Sequence, residues 1–500
     1  MNMLLLLACV RTDDGSSDDT AADTASTGDT SAPDPRFDAL RAAVLADIEA
    51  NYASGASVAV LDHGQVIYAE GFGSADPEAD VPVTPTTLFQ IGSNTKMYTA
   101  AAMLRLVDAG TVALDDTVAD YVPEMVLKDG VAGPSDLGAI TLHHLLTHQG
   151  GFTDAVDWAG SSEDAELYTY WSQTYGRSYG LQSTPGAFWN YSNPNFGVAG
   201  LIEERVDARG RAWPDIISED ILAPLGMDRT FTRKADVEED GDYALSYGYK
   251  STLNGLVGPT RVPMEKVTDP ASVRPAGMIW STPSQLMMYA DFLMHGNTDV
   301  LSDASRAALT GEQVNTLYAE DQQWYGYGIF IDRSFSMPDG IHERPLWEHG
   351  GNTLSMTCSW YVLPEQDWGI AILSNGYGDN FGASVAAGLE TLADVGPAVA
   401  VDPPDIDTAR LADFEGSYQA QSNVGAVVIT RDGDGLRATF PDLDAVGYPY
   451  DPVLQPYSTT IWLVTFDGVQ YDLTFVGEEG QPATWIRNRA FAAVRVPPTE

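Results

Sequence analysis

Ser93-Asn94-Thr95-Lys96 sets a hydroxyl and an amine three residues apart where a helix is expected to begin. Leu88-Phe89-Gln90-Ile91-Gly92 lies ahead of it. Met97-Tyr98-Thr99-Ala100-Ala101-Ala102-Met103-Leu104-Arg105-Leu106-Val107 follows as a helix-prone run, apolar on one face, with Gly110 placed to cap its C-terminus. That spacing puts Ser93 Oγ and the Lys96 amine on the same side of the first turn. The positive end of the helix dipole disfavours a lysine there, and the same repulsion, like burial, lowers an ammonium pKa. A lysine that gives up its proton beside a hydroxyl can activate a nucleophile. A serine N-cap followed by a surface lysine would read the same way locally. Against that stands the scarcity of lysine: the chain has only Lys96, Lys128, Lys234, Lys250 and Lys266.

Two further stretches bear on the choice. Tyr191-Ser192-Asn193 lies in Thr184-Pro185-Gly186-Ala187-Phe188-Trp189-Asn190-Tyr191-Ser192-Asn193-Pro194-Asn195, a loop by its Pro, Gly and Asn content. His349-Gly350-Gly351 follows Leu346-Trp347-Glu348 and leads into a strand-like run. S-x-x-K, then Y-x-N, then H-G-G, in that order, resembles the serine β-lactamase/penicillin-binding-protein superfamily. The nearest branch is the class C β-lactamase-related group, with its DD-peptidases, D-amino-acid peptidases and esterases. Leu145-Leu146-Thr147-His148-Gln149-Gly150-Gly151 is similar to that group's LLTHxSG segment, and Pro275-Ala276-Gly277-Met278-Ile279-Trp280-Ser281-Thr282 to its glycine-rich stretch ending in Ser-Thr. The resemblance spans roughly residues 37 to 400.

The chemistry expected is acyl transfer through a serine ester. Ser93 attacks a carbonyl, and Lys96 and Tyr191 are both candidates to take its proton. A Lys96 charge near the Tyr191 oxygen would favour the phenolate, and coupled groups of this kind titrate as a unit. The resemblance implies that Tyr191 relays the proton to the leaving group and that Asn193 orients the site. The Ser93 N–H at the helix start is one oxyanion donor; the resemblance supplies the second, the N–H of Asn352. Gly350 and Gly351 let a substrate approach the strand with no Cβ in the way. β-Lactamases proper carry Lys-Thr-Gly at the third motif. His349, expected to titrate near neutrality, would hold a carboxylate less firmly and hydrogen-bond the tyrosine instead, or serve as a structural strand-end residue.

The balance of 71 acidic against 26 basic residues gives a formal charge of −45 over 500 residues. Such a chain repels nucleic acid and anionic membrane surfaces, and its size accommodates one large domain and a smaller one. Met1 to Cys9, ending Leu6-Leu7-Ala8-Cys9, resembles a bacterial lipobox, with Cys9 the lipidated residue. Residues 10–36, rich in Asp, Ser, Thr and Ala, read as a disordered tether. Together these place the protein in the bacterial cell envelope, lipid-anchored or exported. Cys358 reads as a buried strand thiol.

The expected fold is α+β. A helix from about Asp38 to Asn51 precedes two strands around the His63-Gly64 turn. Three more strands lie at Leu346 to Asn352, Ser355 to Leu363 and Trp368 to Ser374, and a closing helix runs near Ser384 to Leu392. These form a five-stranded antiparallel sheet flanked by helices, with a mostly helical region inserted. The resemblance implies the same arrangement, with the active site between sheet and helical region. Residues 37–400 make up this domain and 401–410 a linker. Residues 411–500, with short β runs such as Thr460-Ile461-Trp462-Leu463-Val464, make a β-barrel or sandwich in which no residue reads as catalytic.

Other patterns point to structure. His144 and His148 have helical metal spacing but no glutamate between them and no clear third ligand. Ala244-Leu245-Ser246-Tyr247-Gly248 imitates a nucleophile elbow without its first glycine. Asp432-Gly433-Asp434-Gly435 reads as a hairpin turn. No metal or cofactor is called for. The sequence thus predicts a serine hydrolase acting on amides or esters, D-amino-acid-containing peptides or small esters foremost. The alternatives are a true β-lactamase and a penicillin-binding or scaffold protein with weak catalysis.

Overall fold

A computed structural model describes residues 34–250, 258–318, 321–354, 356–400, 406–421 and 423–497. Cys9, nearly all of the expected tether and the first half of the expected linker lie outside these residues. A 3₁₀ turn, Pro35–Phe37, capped by the Asp34 side chain, leads into helix Asp38–Asn51, which stops at Tyr52 in the left-handed region (φ 57°). Helix Gly382–Leu392 lies beside it. Asp47 Oδ2 accepts from the Ser384 N–H at 2.8 Å and from its hydroxyl at 2.6 Å, so one helix caps the other.

These helices cover one face of the sheet. Strand Gly55–Asp62 sends Val58 and Val60 towards Leu40, Val44, Val385 and Leu389, and Ala59 and Leu61 towards the helical region, the two-residue period of a strand with both faces buried. Its hairpin to Gln65–Asp76 turns through His63 and Gly64, both at positive φ (50° and 73°), the type I′ geometry that matches strand twist. Trp368–Ser374 pairs antiparallel with both Gly55–Asp62 and Thr357–Leu363, which pairs with Leu346–Asn352. All seven residues of Trp368–Ser374 are buried.

The five expected strands form the centre of a nine-stranded sheet. Val81–Pro82 extends one edge, and Phe330–Asp332, Gln323–Tyr325 and Val314–Asn315 extend the other. These additions are two or three residues long. A second correction concerns helix Thr95–Asp108. Thr95 to Leu104 are all buried, so this part of the helix is not one-sided but runs through the core with neighbours on every side, and the last turn, Arg105 to Asp108, reaches the surface. Gly110 (φ 68°) ends it as expected.

Beyond Leu411–Phe414 the chain forms a closed eight-stranded barrel, sealed where Gly416–Ala420 pairs with Phe491–Val496. The Asp432–Gly435 stretch is a two-residue hairpin turn there. The barrel packs on the loop before helix Asn193–Val206: Phe188 meets Trp485 edge-on at 5.5 Å, in a cluster with Val131, Leu317 and Ala492.

Candidate active site

Gly92 opens the 3₁₀ turn Gly92–Asn94 that runs into helix Thr95–Asp108. Its φ is +56°, and a Cβ there would stand 2.5 Å from the Asn352 nitrogen. A Cβ on Gly351 would stand 1.9 Å from the Ile91 carbonyl oxygen. Two glycines therefore let the helix start and strand Leu346–Asn352 touch backbone to backbone, beside Ser93 on one side and Asn352 on the other. Asn94 stitches the seam: its Nδ2 donates to the His349 carbonyl at 3.1 Å and to Cys358 Sγ at 3.2 Å. Cys358 is a buried free thiol, its pKa pushed well up by burial.

Lys96 is fully buried one turn into the helix. Its Nζ donates to Ser93 Oγ at 3.0 Å, Asn193 Oδ1 at 2.9 Å and the Ala276 carbonyl at 2.7 Å. Burial holds its pKa well below that of an ordinary lysine, and the nearby Arg489 charge adds to the effect. Asn193 is the first residue of helix Asn193–Val206, and both its N–H (2.9 Å) and its Nδ2 (3.1 Å) donate to Asp154 Oδ1.

Tyr191 stands beside the Ser93–Lys96 pair, with Lys96 Nζ 4.8 Å from its ring centroid. Burial pushes the phenol pKa up, so the expectation of a Lys96-stabilised phenolate does not hold. The charge that opposes this rise is the guanidinium of Arg489, 4.5 Å above the ring centroid. His148 also packs against the ring, 4.2 Å between centroids, its Nδ1 accepting from the Ser192 N–H at 3.1 Å. His148 thus serves as an aromatic support in the packing, and His144 Nδ1 accepts from the Thr141 N–H.

His349 also departs from expectation. Its Nδ1 lies 2.6 Å from the Gly350 carbonyl, an acceptor, which places the proton on Nδ1 and leaves Nε2 to accept from the Tyr325 hydroxyl at 3.2 Å. Burial, reinforced by Lys96, pushes its pKa down to about 3, so it is neutral throughout the physiological range and pairs with Tyr325, not Tyr191. Glu348, the preceding residue, and Asp332 are both buried; burial raises both pKa values, and the Asp332 charge adds to the rise at Glu348.

Ser93, Lys96, Tyr191, Asn193 and His349 therefore converge, with Gly350, Gly351 and Asn352 on the adjoining strand. Ser246 lies elsewhere, buried at the start of strand Ser246–Lys250. Asp154, Tyr325 and Arg489 were not anticipated. Asp154 sits three residues after the Leu145–Gly151 segment. Arg487 and Arg489 repeat at a two-residue interval, as do Trp189 and Tyr191, and each arginine lies over one of those rings, at 5.4 Å for Arg487 and Trp189 and 4.5 Å for Arg489 and Tyr191.

Compared with known proteins, residues 40–394 match the Beta-lactamase family. Protein flp of Staphylococcus aureus is 27% identical over 338 residues, which are 66% of this chain and 61% of flp, so the match spans about three fifths of that relative's length. Solved structures share the fold. The octameric penicillin-binding protein homologue from Pyrococcus abyssi superposes with a TM-score of 0.59 at 22% identity, over 91% of this chain and 99% of its own. A D-stereospecific amidohydrolase from Streptomyces sp. gives 0.54 at 21% identity, over 70% and 97%. With its match covering the sheet, the helical region and all three sequence motifs, the chain belongs to the beta-lactamase family.

Proposed function

We propose that this protein is a serine hydrolase that cleaves amides or esters through an acyl-Ser93 intermediate. The observation that carries the reading is the Lys96 amine, stripped of water and 3.0 Å from Ser93 Oγ. An amine whose neutral form burial favours is a base poised to take the hydroxyl proton as Ser93 attacks. In the neutral amine Asn193 Oδ1 and the Ala276 carbonyl take the two N–H groups, which turns the lone pair towards Ser93 Oγ. Tyr191, kept protonated by burial, then gives a proton to the leaving group and recovers the proton that Lys96 took from Ser93. The N–H groups of Ser93 and Asn352, on the two sides of the glycine seam, receive the oxyanion; losing one such donor typically costs about 10²–10³ in rate.

Small esters and peptides containing D-amino acids are the proposed substrates, in keeping with the D-stereospecific amidohydrolase that shares the fold. The neutral His349, standing where β-lactamases proper carry a lysine, weighs against a dedicated β-lactamase. We further propose that Cys9 is lipidated and anchors the protein in the cell envelope; wild-type protein entirely soluble with Met1 retained would exclude this. The decisive test is labelling with a fluorophosphonate. Ser93 is the expected adduct, abolished together with ester turnover in Ser93→Ala. A label mapping to Ser246 would overturn the assignment.

A further inference from the structure

The barrel reaches the reaction centre through one hairpin. Strands Trp485–Asn488 and Phe491–Val496 pair up to Asn488 and Phe491, leaving Arg489 and Ala490 as a two-residue tip. Asn488 fixes that tip: its Oδ1 accepts from the Ala490 N–H at 2.8 Å, and its Nδ2 donates to the Asp472 carbonyl at 2.8 Å. Arg489 Nε donates to Asp154 Oδ2 at 3.1 Å, while the other oxygen of the same carboxylate holds Asn193. The guanidinium is therefore registered, through Asp154 and Asn193, to the Lys96 amine. Its face lies 4.5 Å from the Tyr191 ring centroid, a cation–π distance.

Only Nε is engaged. Among the described residues the two terminal nitrogens have no protein partner, and 43% of the side chain reaches solvent. They form an open fork of the kind that receives a carboxylate through paired hydrogen bonds. Lys96 cannot serve in that way, because its hydrogen bonds are spent on Ser93, Asn193 and Ala276. His349 has both ring nitrogens occupied, by Gly350 and Tyr325. A local cation matters in a chain of formal charge −45, whose overall field repels anions.

We propose that Arg489, delivered by the C-terminal barrel, is the subsite for a carboxylate on the leaving group of the substrate. The side of the site follows from Tyr191. In the proposed reaction the departing atom takes its proton from Tyr191, and Arg489 stands over the ring of that tyrosine, so a carboxylate a few bonds beyond the departing atom is the group that Arg489 can receive. The substrate class is thus an amide or ester whose leaving group is an anion-bearing amine or alcohol, such as an amino acid. This rests on the acyl-transfer reading of Ser93.

The test uses the full chain and two esters of phenylacetic acid, one with 3-hydroxybenzoate and one with 3-hydroxybenzamide as leaving group. Fluorophosphonate labelling of Ser93 comes first; a wild-type protein that does not label there removes the acyl-transfer reading and this proposal together. With labelling established, Arg489→Gln is expected to lower the benzoate-to-benzamide ratio of kcat/KM by about ten- to a hundredfold, the range for a charged hydrogen bond, and Arg489→Lys by less. An unchanged ratio, or an equal fall for both esters, would overturn the subsite and make Arg489 a prop for the Tyr191 loop. If Arg489→Gln does not fold, competition in wild type decides. Free 3-hydroxybenzoate must then slow Ser93 labelling at lower concentration than 3-hydroxybenzamide, and equal potency overturns the proposal.

Discussion

The seam that carries Ser93 and the hairpin that carries Arg489 hold their functional groups in opposite ways. At the seam, helix start and strand touch through Gly92 and Gly351, and Lys96 is wholly enclosed with three hydrogen-bond acceptors. At the hairpin, one hydrogen bond and one ring face position a guanidinium that solvent still reaches. The first arrangement fixes a pKa, since removing water is what favours a neutral amine. The second retains a charge and leaves it accessible. Under the proposed function, bond-making falls to the dry seam and substrate choice to the wet hairpin.

The largest effects are expected at the seam. Ser93→Ala and Lys96→Met should each lower kcat on an ester by on the order of 10⁴ or more, with the folded state retained by circular dichroism. Residual activity within tenfold of wild type would exclude the assigned roles. Gly351→Ala places a methyl group 1.9 Å from the Ile91 carbonyl. The strand must move away from the helix, and Asn352 N–H moves with it. A fall of about 10²–10³ in kcat is expected, together with a lower melting temperature; near-normal kcat would show that the seam tolerates separation.

Asp154→Asn probes the joint between the two regions. The amide keeps an oxygen for Asn193 but loses the charge that holds Arg489, so a drop of about tenfold in kcat/KM is expected. It should be larger for carboxylate-bearing esters than for neutral ones. An equal drop for both would place the effect at Asn193 alone. The smallest change concerns pH. Lys96 acts as its neutral form, so kcat/KM should fall on acidification through its lowered pKa, with activity retained well below the pH at which an ordinary lysine is protonated. His349, pushed down to about 3, contributes no inflection between pH 5 and 9, and His349→Gln should leave the midpoint of the acid limb in place. A shifted midpoint would show that His349 titrates with the lysine.

What the sequence discloses follows from how local each feature is. Helix Asp38–Asn51 and the central strands announce themselves by periodicity and turn residues, and the motifs at Ser93, Tyr191 and His349 by spacing. Gln323–Tyr325 and Phe330–Asp332 are too short to show alternation, so that edge of the sheet was hidden. The enclosure of Lys96 and His349 depends on which distant segments cover them, and this turns a titrating histidine into a neutral one. The contact of Arg489 with Asp154 joins residues 335 positions apart. A two-residue rhythm of arginines facing a two-residue rhythm of aromatic rings was visible as two patterns, but nothing local matched one to the other.

The cover that the barrel lays over Phe188, Trp189 and Tyr191 also imposes an order in time. Chains are made from the N-terminus, and domains fold broadly as they emerge. The sheet and helical region are complete once Leu392 has been synthesised, yet the roof of the Tyr191 loop is encoded after Thr484. Until the hairpin docks, Ser93 and Lys96 lie beside an aromatic loop that lacks its cover. A chain that stops short of the hairpin leaves Phe188, Trp189 and Tyr191 without the cover that Trp485, Arg487 and Arg489 supply.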